Sequence, residues 1–127
     1  GICLGFQILF SHSYELGFSK GLGLIDGEIV SFSSKTNFIR NIGWLKLKFK
    51  ANHVSKYESL LKDKFFYHIH SFFLSGVNQK YIMTFSEVNN FTFTSSISFN
   101  NITGVQFHPE KSGTNGLNFL KGFINDF

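Results

Sequence analysis

The chain has 127 residues, 43% hydrophobic and 16% charged, a globular composition that fits one domain or part of one and excludes a disordered tract. Its single cysteine excludes an internal disulfide and a multi-cysteine zinc site, and points to a reducing, cytoplasmic setting. The net charge of +4 is spread along the chain without a clustered basic stripe, so no nucleic-acid partner is expected, and no apolar run approaches a membrane span, so no membrane partner is expected.

In chain order, the spacing of Phe6, Leu9 and Phe10 predicts a helix from Cys3 to about Tyr14, with Gly17 as its stop. The glycine-punctuated stretch GFSKGLGLIDGEIVSF predicts short strands near Leu22 to Ile25 and Glu28 to Phe32. In WLKLKFK, Lys46, Lys48 and Lys50 alternate with Leu45, Leu47 and Phe49, the period of a half-buried strand. A short surface helix is predicted over SKYESLLKD, with Tyr57, Leu60 and Leu61 on one side. Strands follow over Phe65 to Phe73, over YIMTFS, and twice or three times over FTFTSSISFNNITGVQF, with Asn100-Asn101 as a turn. A last helix over NGLNFLKGFINDF sets Leu117, Leu120, Phe123, Ile124 and Phe127 on one face. No repeat or linker interrupts the chain, and the whole reads as one α/β unit.

The chemistry-bearing residues stand at the two ends. Cys3 lies between Gly1 and Gly5 in the form of a nucleophile elbow, a sharp turn in which neighbouring side chains would collide. The following helix start and its free N–H groups are expected to favour the thiolate and lower the cysteine pKa, with the Leu4 N–H aimed at a developing oxyanion. A lone cysteine near an apolar helix is ordinarily a small buried hydrophobe, so the elbow alone does not establish catalysis. In GVQFHPEKSG, His108 and Glu110 are two apart, which in a strand-like segment sets them on one side. A thiol needs a base within reach, and that base needs an acceptor on its other ring nitrogen.

Taken together, GICLGFQ and GVQFHPEKSG resemble the class I, triad-type glutamine amidotransferases. Further stretches, LGLIDGEIVSF, NIGW, HIHSF and FHPEKSGTNGLNFLKGF, resemble the glutaminase subunit of imidazole glycerol phosphate synthase within that family. The resemblance covers nearly the whole chain. It implies a flavodoxin-like three-layer α/β/α sandwich and a triad of Cys3, His108 and Glu110 that hydrolyses L-glutamine to glutamate and ammonia. It further implies that Gln7 and Glu15 contact the substrate, and that His70-Ser71 with Phe72 matches a His-Ser-Tyr stretch, the tyrosine hydroxyl being lost here. No cofactor or metal is implied, and ammonia passes to a (β/α)₈ cyclase subunit making imidazole glycerol phosphate and an aminoimidazole ribotide for histidine. In NIGW, Leu45 follows where asparagine is typical, which leaves open an ammonia acceptor such as a surface-polysaccharide sugar; a non-catalytic interaction module is the other alternative. His68 and His70 form an H-x-H pair without an acidic or thiol ligand set, so no metal site is expected there. His12 and His53 are expected to be partly exposed. Because an elbow requires a preceding strand and none stands before Gly1, residues 1–127 are expected to be the C-terminal part of a single amidotransferase domain with N-terminal strands missing, inactive alone.

Overall fold

The computed structural model describes residues 1–51, 53 and 55–125. It is an α/β chain in which strands dominate. The elements are α1 (Leu4–Gln7), β1 (Phe10–Ser13), β2 (Ser19–Lys20), β3 (Ile25–Ser31), β4 (Asn41–Lys46), β5 (Lys48–Phe49), α2 (Glu58–Leu61), β6 (Phe65–His70), β7 (Phe72–Ser75), β8 (Ile82–Val88), β9 (Phe91–Phe99), β10 (Ile102–Val105) and α3 (Gly113–Ile124). They form sheets in the orders β2-β1-β3-β7 and β10-β9-β8-β5, with β4-β6 as a separate pair. β1 runs parallel to β3, while β3–β7, β4–β6, β8–β9 and β9–β10 are antiparallel.

The first helix is much shorter than its spacing predicts. It stops at Gln7, and Phe10–Ser13 pairs with β3 on one side and β2 on the other. Phe6, Leu9 and Phe10 are buried as expected, because the turn through Ile8 keeps all three on the core side. Ser11 and Ser13 are poor helix formers, and two flanking strands offer their backbone a ladder instead. Gly17, at φ 100, therefore closes a turn after β1 and stops no helix. Of the two strands predicted between Leu22 and Phe32, one forms, β3, and Leu22 to Leu24 lead into it.

Lys46 and Lys48 face solvent around fully buried Leu47 as the alternation predicts, but the single strand expected over WLKLKFK divides at Leu47, with β4 pairing β6 and β5 pairing β8. Tyr57 and Leu61 are buried on α2. Asn100, at φ 53, turns β9 into β10, a conformation asparagine tolerates. The aromatic run from Phe65 divides at Ser71, so that β6 pairs with β4 and β7 with β3. On α3 the buried line is Gly116 and Phe119 with half-buried Leu120 and Phe123, while Leu117 and Ile124 are exposed. A Cβ at Gly116 would overlap the Pro109 carbonyl, so α3 sits directly on the turn after β10. The predicted Phe127 lies outside the described residues.

Among the described residues, three apolar clusters hold the sheets. One joins α1, β1, β3 and β7 through Phe6, Phe10, Ile25, Ile29 and Leu74. A second packs α2 and α3 on β6, β8 and β10 through Leu61, Phe66, Met83, Val105, Phe107 and Phe119. The third is aromatic: Phe32 stacks on Phe73 at 4.9 Å and meets Phe93 edge-on at 5.5 Å. Burying each such ring contributes about 1.5–3 kcal/mol, which is where the abundance of phenylalanine goes.

Candidate active site

Cys3 occupies a backbone conformation that only an imposed turn sustains, with φ 48 and ψ −104. The turn is pinned on both sides. The Cys3 N–H donates to the Val105 carbonyl at 2.9 Å, the Val105 N–H donates to the Gly1 carbonyl at 2.9 Å, and Ile2 forms a parallel bridge with Val105. Ile2 thus makes a single bridge to β10 ahead of the nucleophile turn. A Cβ on Gly1 would overlap the Gly5 carbonyl, as the elbow argument expects; one on Gly5 would meet nothing within 4 Å, so the steric demand falls on the first glycine only.

The second half of the site is built on the turn after β10. The His108 N–H donates to the Tyr67 carbonyl at 2.8 Å, and Ser112 Oγ accepts from the Tyr67 N–H at 2.9 Å while donating to the His108 carbonyl at 2.6 Å. These bonds fasten the turn to β6. His108 Nδ1 lies 2.6 Å from Glu110 Oε1. A carboxylate only accepts, so Nδ1 carries the proton of this bond. The contact does not arise from strand alternation, since residues Pro109–Lys111 form a 3-10 turn that His108 precedes. In such a turn, residues two apart meet by curling instead of by pleating.

A cleft of about 220 Å³ beside the sulfur is lined by Cys3, Leu4, Gln7, Glu15, Ile69, His70, Ser71 and Phe72. Five of these, Gln7, Glu15, His70, Ser71 and Phe72, are the candidate substrate contacts named from the sequence. His70 is buried: its Nδ1–H donates to the Phe72 carbonyl at 2.8 Å and its Nε2 accepts from Asn41 Nδ2 at 3.1 Å. His68, fully buried, is bonded at Nδ1 to the Phe66 carbonyl and at Nε2 to Ser95 Oγ. Both nitrogens of each ring are therefore taken up by protein partners. Burial, reinforced for His68 by the charge of His70, pushes the two pKa values down to about 3 for His68 and about 4 for His70. His12 and His53 are partly exposed.

The thiol departs from expectation. Its pKa is raised, first by burial and then by the negative charge of Glu110 and Glu15, while hydrogen bonds from the Leu4 N–H and Gln106 oppose the rise. Two physical causes were not visible in the motif. α1 is a single turn, so its terminus offers little field, and the fold brings the carboxylates of Glu110 and Glu15 near the sulfur. The resting side chain is thus the neutral thiol, which needs a base to become a nucleophile.

Sequence reasoning also passed over Gln106, Asn41 and Ser112. Gln106 is fully buried between Val105 and Phe107, and a polar amide inside an apolar strand run is the signal that marks it.

The sequence model of the glutamine amidotransferase class-I family matches residues 1–126. Among curated relatives, the chain is similar to imidazole glycerol phosphate synthase subunit HisH of Pyrococcus furiosus, 39% identical over 97% of this chain and 62% of the relative. The subunit HisH of Chlorobium luteolum is 38% identical over 97% of this chain and 61% of its own length. That of Methanosarcina barkeri is 36% identical over 98% and 61%. The chain spans about three-fifths of the length of these relatives.

Proposed function

The chain belongs to the class I glutamine amidotransferase family, and on that premise we propose that it carries the reacting groups for hydrolysis of L-glutamine to glutamate and ammonia. The observation that carries the reading is the approach of two sequence-distant halves: a strained cysteine at the mouth of a cleft, and a His108–Glu110 pair at 2.6 Å on the turn that follows the strand pinning that cysteine.

The chemistry follows from the groups present. His108 Nε2 takes the proton from Cys3 as Sγ attacks the carboxamide carbon, and Glu110 stabilises the imidazolium through Nδ1. The raised thiol pKa makes this transfer part of the reaction rather than a resting condition. The Leu4 N–H, already directed at the sulfur, donates to the oxygen that gains charge. The tetrahedral species collapses by breaking the C–N bond, with the imidazolium proton going to the departing ammonia. Water, deprotonated by His108, then attacks the thioester, releases glutamate and returns the proton to the thiol. Gln7, Glu15 and the His70-Ser71-Phe72 stretch line the space for the amino-acid end of the substrate.

These relatives are subunits of imidazole glycerol phosphate synthase. We extend that role to this protein: it works in the cytoplasm beside a (β/α)₈ cyclase subunit that receives the ammonia for histidine biosynthesis. Among the described residues no helix is long and apolar enough to cross a membrane.

The experiment is Cys3→Ala in the full-length protein assembled with its cyclase. Glutamine-dependent synthesis is expected to vanish while synthesis from added ammonium salts persists. Retention of glutamine hydrolysis by this variant would overturn the mechanism.

A further inference from the structure

We propose that Gln106 is a positioning residue for the nucleophile, its amide N–H holding Cys3 Sγ and its orientation fixed from behind by Gln7 and the Phe72 carbonyl. This inference rests on the glutaminase reading and adds to it a residue outside the triad.

Gln106 Nε2 stands 3.7 Å from Cys3 Sγ, within reach of an N–H···S contact. Its Oε1 accepts from Gln7 Nε2 at 3.1 Å, and Gln7 Nε2 also donates to the Phe72 carbonyl at 3.3 Å. The direction of this relay is forced. A backbone carbonyl can only accept, so the Gln7 amide turns its NH₂ toward Phe72; the second proton of that NH₂ then faces Gln106, which must offer its oxygen. The NH₂ of Gln106 is left pointing at the sulfur. A flipped Gln106 would set two NH₂ groups against each other in a fully buried site, at the cost of an unmet donor.

The anchor is stiff as well as directed. The Phe72 carbonyl also receives the His70 Nδ1–H at 2.8 Å, and His70 Nε2 is held by Asn41. The Gln106 backbone N–H donates to the Ser95 carbonyl at 2.8 Å, so the residue is fixed in the β9–β10 sheet. A donor aimed at sulfur favours the thiolate over the thiol and opposes the charges that face Cys3, those of Glu110 and Glu15. The other titratable groups on this side are His108, paired with Glu110, and His70, which lines the same cleft as Cys3.

The test reads the sulfur directly. In the full-length protein, the pH profile of iodoacetamide alkylation at Cys3, followed by mass spectrometry of its peptide, is expected to move upward in Gln106→Leu and further upward in Gln106→Glu. Gln106→Glu keeps the acceptor for Gln7 and the side-chain shape while replacing the donor with a charge, so it decides the question if Gln106→Leu does not fold. Glutamine kcat is expected to fall about tenfold or more with KM little changed, the loss of one hydrogen bond to a charged group. A folded variant whose Cys3 titrates as the wild type does would overturn the proposal. Absence of glutamine turnover in the wild type would instead overturn the glutaminase reading, and the alkylation profile would still judge Gln106.

Discussion

His68 and His70 sit on β6, while His108 sits on the turn after β10, and the two regions use one residue type in opposite ways. On β6 the rings are enclosed by Phe93 and Phe107, and each nitrogen is assigned to a carbonyl, a hydroxyl or an amide. These histidines are neutral at neutral pH and behave as shaped hydrogen-bonding core residues. On the turn, one nitrogen faces a half-exposed carboxylate, and the other is the base of the proposed mechanism. Burial and the sign of the nearest partner, not the residue type, separate a structural histidine from a chemical one.

The largest expected effect comes from acid. In the unfolded chain both β6 histidines take up protons near pH 6.5, whereas in the fold His68 resists until about pH 3 and His70 until about pH 4. The unfolded state therefore binds more protons between those limits, and stability is full above about pH 6.5 and lost as pH falls toward 4. Each group lowers stability by up to about 1.4 kcal/mol per pH unit, about 2.7 together. Urea unfolding followed by circular dichroism from pH 7 to pH 4.5 checks this. A midpoint that does not fall over that range would show that the two rings are hydrated and chargeable in the fold.

Next in size is the chemical histidine. His108→Asn is expected to lower glutamine turnover in the full-length protein by about 10³-fold, the usual order for removing the base of a nucleophile pair. Its thermal midpoint should change little, because the backbone bonds to Tyr67 and Ser112 that hold the turn remain. His68→Asn should do the reverse, destabilising through the orphaned Ser95 and Phe66 partners while acting on turnover only through folded fraction. Turnover per folded molecule measured on both variants distinguishes the regions; equal losses would erase the contrast.

The contrast between regions was only partly legible in the residues. Cys3, His108 and Glu110 are marked by glycines and by a proline, which constrain backbone shape and so survive in a one-dimensional pattern. The alternation of WLKLKFK and the turn at Asn100 were readable for the same reason, their determinants being local, whereas the break at Leu47 was not, because β6 and β8 recruit its two halves from outside the segment. The end of α1 was not, because β3 decides it from outside the segment by pairing with Phe10–Ser13. The buried face of α3 was misjudged because Gly116 contributes closeness rather than hydrophobicity, and the closeness is to Pro109. The thiol's raised pKa was beyond reach, since its burial is set by the fold and Glu110 and Glu15, 107 and 12 residues away in the chain, act on it only there.

His12 stands between the two regions and sets the small end of the scale. It lies on β1, partly exposed, with Nε2 3.3 Å from Glu28 Oε2 and its ring against Tyr14 and Phe18 at 5.4 Å each. Both members of the pair keep about a third of their side-chain surface in water, 30% and 39%, so solvent screens their attraction. Pairs of this kind contribute about 0.2–1 kcal/mol. His12→Gln, which keeps a donor toward Glu28 and gives up the ring, should therefore cost less than about 1 kcal/mol. Most of that loss should be insensitive to salt, because it comes from aromatic edge contacts rather than charge. Urea midpoints of wild type and variant in low and in molar salt measure the split. A difference between the two proteins that disappears at high salt would assign His12 to electrostatics and place it nearer His108 than the histidines of β6.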